Sequence, residues 1–267
     1  MLYSVKDFKR FKLRARDGDL GKVSEFYFDD KFWAVRYLVA DTGGWLSGRR
    51  VLLSPYALHS ANKAEQVLPV DLTMKQIEES PSLASDEPVS RQYETQYYDY
   101  YGWPIYWSGT DMWGASPHMG AVGPAMVSVD PAVGGVGKIE REKTRREEAW
   151  DPNLRSTDDV TGHNIEAQDG AIGHVEDFII DDETWAIRYL VVDTKNWWPG
   201  KHVLVSPQWI ERVSWEDSKV FVNLSRETIK QSPEYAPKSL NRDYETALYR
   251  HYSRQGYWPD ERVTKQY

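Results

Sequence analysis

Apolar and polar residues alternate along this chain with the period of β-strands. From Gly21 to Phe28 the apolar positions Val23, Phe26 and Phe28 are separated by polar ones. Two aspartates follow, and then a run rich in β-branched and aromatic residues, Trp33 to Asp41. This pattern predicts a β-hairpin with a turn at the aspartates.

The residues after the hairpin predict two more short strands and a short helix. A third strand, Arg49 to Leu53, is expected to end at the following Ser-Pro pair, because proline cannot donate to a continuing ladder. After a fourth strand, Thr73 and Gln76 form a capping box for a helix that must end before Pro81. So many short strands in so few residues favour a small closed barrel, since closure removes exposed edges.

The whole pattern occurs twice. Residues Ala15 to Pro81 return as Ala167 to Pro233 at an offset of 152, with roughly 27 of 67 positions identical and no gap. The second hairpin is therefore Gly173 to Ile180 and Trp185 to Asp193. A domain this small has a marginal core, so we expect the two copies to pack against each other within the chain.

These repeats divide the 267 residues into three parts. We place a first domain at 1–103, a linker at 104–152 and a second domain at 153–267. Residues 109–137 are rich in Gly, Pro, Ala and Met without a usable period, which indicates a flexible linker. The alternative is a segment that docks on a partner or on the barrels, because it contains large apolar side chains, namely Met112, Trp113, Met119 and Met126.

Each repeat is followed by a tyrosine-rich tail. Tyr93-Glu94-Thr95 in the first tail matches Tyr244-Glu245-Thr246 in the second after a one-residue slip. The aromatic residues are spaced so that a helix would carry them on one face. That face either packs on a barrel or forms a partner or self-association surface, for which the candidates are Tyr97, Tyr101, Tyr249 and Tyr252.

The repeated motif DGxxGxVxxFxxDDxxWxxRYLVxDT, followed by a Trp-containing loop, VLxSP and an LTxxxI helix, resembles the PRC-barrel family. That family is named for the cytoplasmic domain of the photosynthetic reaction-centre H subunit, and a similar barrel occurs in a ribosome-maturation factor. The resemblance covers both repeats and implies a mainly β fold. We therefore expect two small PRC-type β-barrels with short flanking helices, joined by a long flexible linker. The resemblance also implies a non-catalytic interaction module.

The loop between the second and third strands carries large apolar residues in both copies. These residues are Trp45 and Leu46 in the first copy and Trp197 and Trp198 in the second. Such residues in a turn either fold back on the barrel or form a contact surface. The other repeat presents the same surface, so the most economical contact is a pseudo-symmetric pair of barrels.

Charged residues within the hairpins suggest structural roles. Arg36 and Asp41 lie on one predicted strand, as do Arg188 and Asp193, and we expect each pair to form an ion pair that straps its barrel. The paired aspartates at the hairpin turns are interpreted as turn formers rather than catalytic carboxylates or calcium ligands.

Composition narrows the function classes. A net charge of −8 and a pI near 5.4 argue against broad nucleic-acid binding. The chain has no cysteine and no apolar run of about 18 residues, which favours a cytoplasmic protein without a membrane span. Its six histidines show no metal-binding spacing, and nucleotide and hydrolase motifs are missing.

These observations predict a protein without catalytic residues, cofactor or metal. It would act as a scaffold or adaptor that contacts a protein partner or a second copy of itself. Two alternatives stay open. One is a small-ligand-binding protein that holds its ligand between the barrels with Arg36 or Arg188 and the loop tryptophans. The other is an RNA- or ribosome-associated factor.

Overall fold

The computed structural model describes residues 1–46, 50–81, 89–114, 153–194 and 200–258. Within these residues the fold is mainly β, with thirteen strands in two sheets and six short α-helices. The chain clusters into two compact units. The first contains Met1, Tyr3–Asp158 and Asp181–Ala186, and the second contains Leu2, Asp159–Ile180 and Ile187–Tyr267.

The predicted hairpin, two further strands, short helix and tail helix occur in order in the first half, where two short strands and a short helix precede them. The strands are β1 Leu2–Ser4, β2 Lys12–Arg14, β3 Asp19–Asp29, β4 Ala34–Asp41, β5 Val51–Leu53 and β6 Val67–Pro69. The helices are α1 Val5–Phe8, α2 Met74–Glu78 and α3 Arg91–Tyr101. The predicted capping box is confirmed, since Thr73 and Gln76 bond to each other's backbone at the start of α2.

The second half repeats these elements and adds one strand, Ile210–Ser214, where the first half has isolated bridges at Leu58 and Asn62. Its strands are β7 Leu154–Ser156, β8 Asn164–Ala167, β9 Gly170–Asp181, β10 Ile187–Asp193, β11 His202–Val205, β12 Ile210–Ser214 and β13 Lys219–Val222. Its helices are α4 Thr157–Val160, α5 Arg226–Lys230 and α6 Arg242–His251. One sheet runs in the order β5-β4-β3-β2-β6 and the other contains the path β11-β10-β9-β8-β13-β12. The pairs β2–β6 and β8–β13 are parallel, so both halves share one topology.

Strand pairing in the described residues does not close either sheet into a barrel. The first path ends at β5 and β6, and the second ends at β11 and β12. The three-residue edge strand β5 is covered by α3 instead. The hydroxyl of Tyr97 donates to the carbonyl of Leu52 at 2.7 Å and accepts from the amide of Ser54 at 3.2 Å. A helix that occupies an edge in this way protects it from pairing with another chain.

The compact units do not coincide with the sequence repeats. Segment 153–158, from the predicted second domain, and the hairpin turn 181–186, from the second repeat, cluster with the first unit. Strand β7 pairs antiparallel with β3, with Ser156 opposite Tyr27 and Leu154 opposite Asp29. The first unit therefore depends on chain that the sequence assigns to the second domain.

Trp185, in that hairpin turn, belongs to the aromatic core of the first unit. It is 1% exposed, and its ring centroid lies 5.9 Å from that of Phe8 and 6.3 Å from that of Phe26. Its φ of 58° is in the left-handed region, as is the φ of 53° at its counterpart Trp33. A bulky residue in this region is strained, so packing must hold both tryptophans in place.

Two glycines allow the long hairpin strands to approach each other closely. A Cβ on Gly21 would lie 2.0 Å from the carbonyl oxygen of Asp41, and a Cβ on Gly173 would lie 1.9 Å from that of Asp193. No side chain fits at these distances, which explains why glycine occupies this position in both copies.

Candidate functional site

The tail helices are positioned by polar caps at their N-termini. The side chain of Ser90 accepts from the amide of Tyr93 at 3.1 Å, and that of Asn241 accepts from the amide of Tyr244 at 2.9 Å. Each cap starts a helix whose first turn carries a buried glutamate, Glu94 in α3 and Glu245 in α6. A carboxylate in the first turn is favoured by the helix dipole.

In the first unit this glutamate is the centre of a buried polar cluster. Glu94 is fully buried, and its Oε1 accepts from the hydroxyl of Tyr37 at 2.8 Å and from that of Tyr106 at 2.5 Å. Its Oε2 lies 3.0 Å from the guanidinium of Arg91. The cluster joins strand β4, helix α3 and the segment after the helix, because α3 supplies two of these residues and each of the others supplies one.

The second unit contains the same kind of cluster with similar distances. Glu245 is 2% exposed, and its Oε1 accepts from Tyr189 at 2.6 Å and from Tyr257 at 2.9 Å. Its Oε2 lies 3.0 Å from the guanidinium of Arg242. We call each group of one glutamate, two tyrosines and one arginine a carboxylate hub.

Cations and aromatic rings complete both hubs. The guanidinium of Arg36 lies 4.1 Å from the ring centroid of Tyr106, and that of Arg188 lies 4.0 Å from the ring centroid of Tyr257. The guanidinium of Arg91 lies 4.4 Å from the ring centroid of Trp107, and that of Arg242 lies 4.2 Å from the ring centroid of Trp258. Such cation–π contacts contribute most where water is excluded.

The electrostatics of the hubs keep their tyrosines neutral. Burial raises the pKa of Tyr37 well above its ordinary value, and the neighbouring Glu94 raises it further. Burial likewise raises the pKa of Tyr189 strongly, with added contributions from Tyr249 and Glu245. Each hydroxyl therefore donates its hydrogen to the carboxylate and keeps its proton at neutral pH.

Arg36 does not form the ion pair with Asp41 that the sequence predicts. The fully buried guanidinium of Arg36 lies 3.4 Å from Asp29 and donates to the carbonyl of Met112 at 2.7 Å. Positions five apart on a strand are separated by about 16 Å and point to opposite faces, which excludes the expected pair. The carboxylate of Asp41 instead accepts from the amide of Gly43 at 3.0 Å.

The same strand geometry separates Arg188 from Asp193 in the second unit. Arg188 lies on the ring of Tyr257, whereas the carboxylate of Asp193 lies 4.0 Å from His202. The turn-forming role is confirmed for the first aspartate of each pair, whereas Asp30 pairs with Arg155 at 3.1 Å and Asp182 accepts from the amide of residue 61 at 3.1 Å. Asp29 accepts from the amides of residues 31 and 32 at 2.8 and 3.1 Å, and Asp181 accepts from the amide of residue 183 at 3.2 Å.

The tail tyrosines pack on their own units. Tyr97, Tyr249 and Tyr252 are buried, and Tyr101 is half-buried with its ring stacked on Trp103 at 4.4 Å. This is the first of the two arrangements considered from the sequence. Burial raises the pKa of Tyr252 to about 12.

The loop tryptophans lie only partly within the described residues. Trp45 and Leu46 are half-buried, with the amide of Trp45 bonded to the carbonyl of Thr42 at 3.3 Å. Trp197 and Trp198 lie outside the described residues. The contact role predicted for this loop stays a prediction.

Part of the predicted linker is ordered against the first unit. Residues 104–114 contain Tyr106 and Trp113, both 2% exposed, and these two rings lie on Arg36. The rest of the predicted linker, 115–152, lies outside the described residues. The boundaries placed at 103 and 153 stay a prediction.

Comparison with known families locates the recognisable part of the chain. Residues 159–229 match the family model of the PRC-barrel domain. The PRC-barrel match spans β8 to α5 and ends before the second carboxylate hub is completed by α6. No curated protein matches the chain. None of the helices in the described ranges is long and apolar enough to cross a membrane.

Sequence analysis missed the carboxylate hubs, although a signal for them is present. At an offset of 151 the tails share a spaced motif, R-x-Y-E-T-x-x-Y-x-x-Y-x-x-x-x-Y-W, from Arg91 to Trp107 and from Arg242 to Trp258. The sequence analysis matched the two tails only at their shared Tyr-Glu-Thr and did not extend the match to the rest of this motif. The glutamate was missed because a charged residue in an aromatic helix is usually assigned to the solvent face.

Proposed function

We propose that this chain is a non-enzymatic scaffold or adaptor built from two PRC-barrel-type modules, each locked to its own tyrosine-rich tail. The PRC-barrel match supports a module of this type at residues 159–229. The ungapped repeat supports it for the corresponding first copy, since roughly 27 of 67 positions are identical. Closure of each module into a barrel is part of the proposal.

The duplicated carboxylate hub is the observation that carries this proposal. Its carboxylate oxygens are held by tyrosine hydroxyls and an arginine of the same module, and its glutamates are at most 2% exposed. A general acid or base must reach its substrate and exchange a proton near the working pH. The raised pKa values of Tyr37 and Tyr189 oppose such exchange and favour a structural lock.

The small-ligand alternative is weakened by the surroundings of Arg36. Its guanidinium already binds a carboxylate and a carbonyl, and Tyr106 and Trp113 cover it. An anion would have to displace residues 104–114 to reach it. The RNA-associated alternative is opposed by the acidic balance of the chain.

We place the partner-binding surface at the loops of Trp45, Leu46, Trp197 and Trp198, and the partner is a protein or a second copy of the chain. Half-buried tryptophan and leucine in a loop offer an apolar contact, and truncation of an interface tryptophan commonly costs about 2 kcal/mol or more. Pairing of the two modules within one chain and a cytoplasmic location stay predictions.

Sedimentation velocity and small-angle scattering of a Trp45→Ala, Trp197→Ala, Trp198→Ala variant test this assignment. We expect far-UV dichroism like that of wild type together with loss of self-association or a looser particle. Tyr100→Ala is the control, because Tyr100 is 41% exposed and lies on a tail helix. If the triple variant sediments and scatters like wild type, these loops are not association anchors. If the triple variant unfolds, the tryptophans belong to the core.

A further inference from the structure

Three metal-ligand side chains of the second unit converge near the open end of its long hairpin. The ligand atoms of His174, Glu176 and Asp193 all lie within 4.8 Å of one another. Nε2 of His174 is 3.8 Å from a carboxylate oxygen of Glu176. Nε2 of a second imidazole, His202, is 4.0 Å from the carboxylate of Asp193.

Strand register brings these residues together from three neighbouring strands. His174 on β9 is paired with Asp193 on β10, and Asp193 is paired with His202 on β11. Paired residues on adjacent strands project to the same face of the sheet, so one carboxylate lies between two imidazoles.

The second carboxylate lies at a β-bulge. Val191 and Val192 are consecutive on β10, but their partners on β9 are Asp177 and Val175, which leaves Glu176 as the extra residue. Glu176 lies two residues beyond His174, and the 3.8 Å between their side chains places both on the same face. The close approach of Gly173 to the carbonyl of Asp193 draws the two strands together beside this bulge.

The chemistry of this set suits a divalent transition metal. Imidazole nitrogen and carboxylate oxygen are zinc ligands at about 2.0–2.2 Å, which places neighbouring ligand atoms about 3.4 Å apart in a tetrahedral site. The separations of 3.8 and 4.0 Å, and those of up to 4.8 Å within the three-residue set, must shorten by about 0.4–1.4 Å through side-chain rotation to reach that value. His174 and Glu176 are each about one-third exposed, so an ion has access from solvent.

The first unit provides an internal comparison. At the corresponding positions it carries Lys22, Ser24, Asp41 and Arg50, so only the strand-end aspartate is shared. Lys22 is paired with Asp41 and the guanidinium of Arg50 lies 3.7 Å from Glu25, but neither cation is a metal ligand at neutral pH. In the second unit imidazoles stand at both positions and a carboxylate stands at the position of Ser24, which together form a ligand set.

We propose that His174, Glu176 and Asp193, with His202 as a further ligand, bind a divalent transition metal ion of the zinc class. The site belongs to the second unit alone. It goes beyond the scaffold function, and its presence or absence does not decide whether the loops bind a partner.

Calorimetric titration of zinc chloride into the tag-free, chelator-treated full chain tests this proposal. We expect one zinc ion per chain. A His174→Lys, His202→Arg variant copies the first unit and keeps the positive charge, and we expect its zinc affinity to fall at least about tenfold. Glu176→Ser, which also copies the first unit, should weaken binding without removing either histidine.

The matched control is His59→Ala. His59 lies 3.8 Å from Asp71 in an exposed pair that no third metal ligand joins within the described part of the chain, so its removal should leave the titration unchanged. Failure of wild type to bind zinc at millimolar concentration would overturn the proposal, as would equal affinity in the Lys/Arg variant. If the Lys/Arg variant does not fold, two other results together would overturn the proposal. Folded Glu176→Ser would bind zinc as tightly as wild type, and zinc would not shift the imidazole resonances of His174 and His202 in wild type.

Discussion

The carboxylate hub predicts that a single amide substitution loosens one tail helix. In Glu94→Gln the side chain keeps its shape and an acceptor oxygen, but the two hydrogen bonds from Tyr37 and Tyr106 lose their charge-assisted strength. Bonds to charged groups contribute about 1.5–3 kcal/mol against about 1 kcal/mol for neutral ones. The two bonds together therefore lose about 2 kcal/mol.

Loss of the ion pair with Arg91 adds to this cost. The side chain of Arg91 is 22% exposed, so water compensates in part and we assign about 1 kcal/mol to the pair. The expected destabilisation is about 3 kcal/mol in the first unit. Glu245→Gln should cost less, about 2 kcal/mol, because Arg242 is 48% exposed and its pair is better screened.

Native-state hydrogen exchange measured by mass spectrometry reads this effect helix by helix. Peptides covering 91–101 should lose protection in Glu94→Gln, and peptides covering 242–251 should lose it in Glu245→Gln. The control is Glu79→Gln, since Glu79 is 60% exposed and lies 3.8 Å from Lys75, a pair worth less than about 0.5 kcal/mol. Protection of 91–101 in Glu94→Gln within about 0.5 kcal/mol of wild type would refute the reasoning.

Three further predictions follow from individual contacts. Trp185→Ala should destabilise the first unit by about 3–5 kcal/mol, seen as loss of exchange protection in residues 5–11, although the residue belongs to the second repeat; unchanged protection there would contradict its place in that core. Gly173→Ala should lower the melting temperature by several degrees or prevent folding, whereas Gly44→Ala, with open space around its Cβ, should not; equal melting temperatures would contradict the close approach. Stability should fall above about pH 10, because a tyrosine with a raised folded-state pKa stabilises fully below its unfolded pKa and loses that contribution as pH rises toward the folded value. In Tyr189→Phe the alkaline slope from denaturant titrations should be shallower by up to about 1.4 kcal/mol per pH unit, and an unchanged slope would contradict the assignment.

Local patterns in the sequence were sufficient to predict most elements of the fold. The alternation around Val23 and Phe26 identifies β3, and the Thr73–Gln76 capping box identifies the start of α2. Such signals depend on neighbours in the chain, so they survive without knowledge of the tertiary structure. Because the repeat has no gap, each element assigned in the first copy is also assigned in the second.

Features set by distant parts of the chain were not predictable in this way. Strand β7 pairs with β3 across more than a hundred residues, and Trp185 packs into the first unit rather than with its own hairpin. Arg36 pairs with Asp29 across the hairpin turn and not with Asp41 on its own strand, because cross-strand neighbours are closer than residues five apart on one strand. The metal-ligand set around Asp193 was not predicted for a related reason, since its members come from three strands and a bulge.

The most direct test of the scaffold assignment is quantitative affinity capture from the native host. Wild type, the triple variant of Trp45, Trp197 and Trp198, and the Tyr100→Ala control would be used as baits at equal, verified folded concentration. We predict that a defined protein, or an untagged copy of this chain, is retained by wild type and by the control and is depleted at least about tenfold with the triple variant. Equal retention by all three baits would contradict the account.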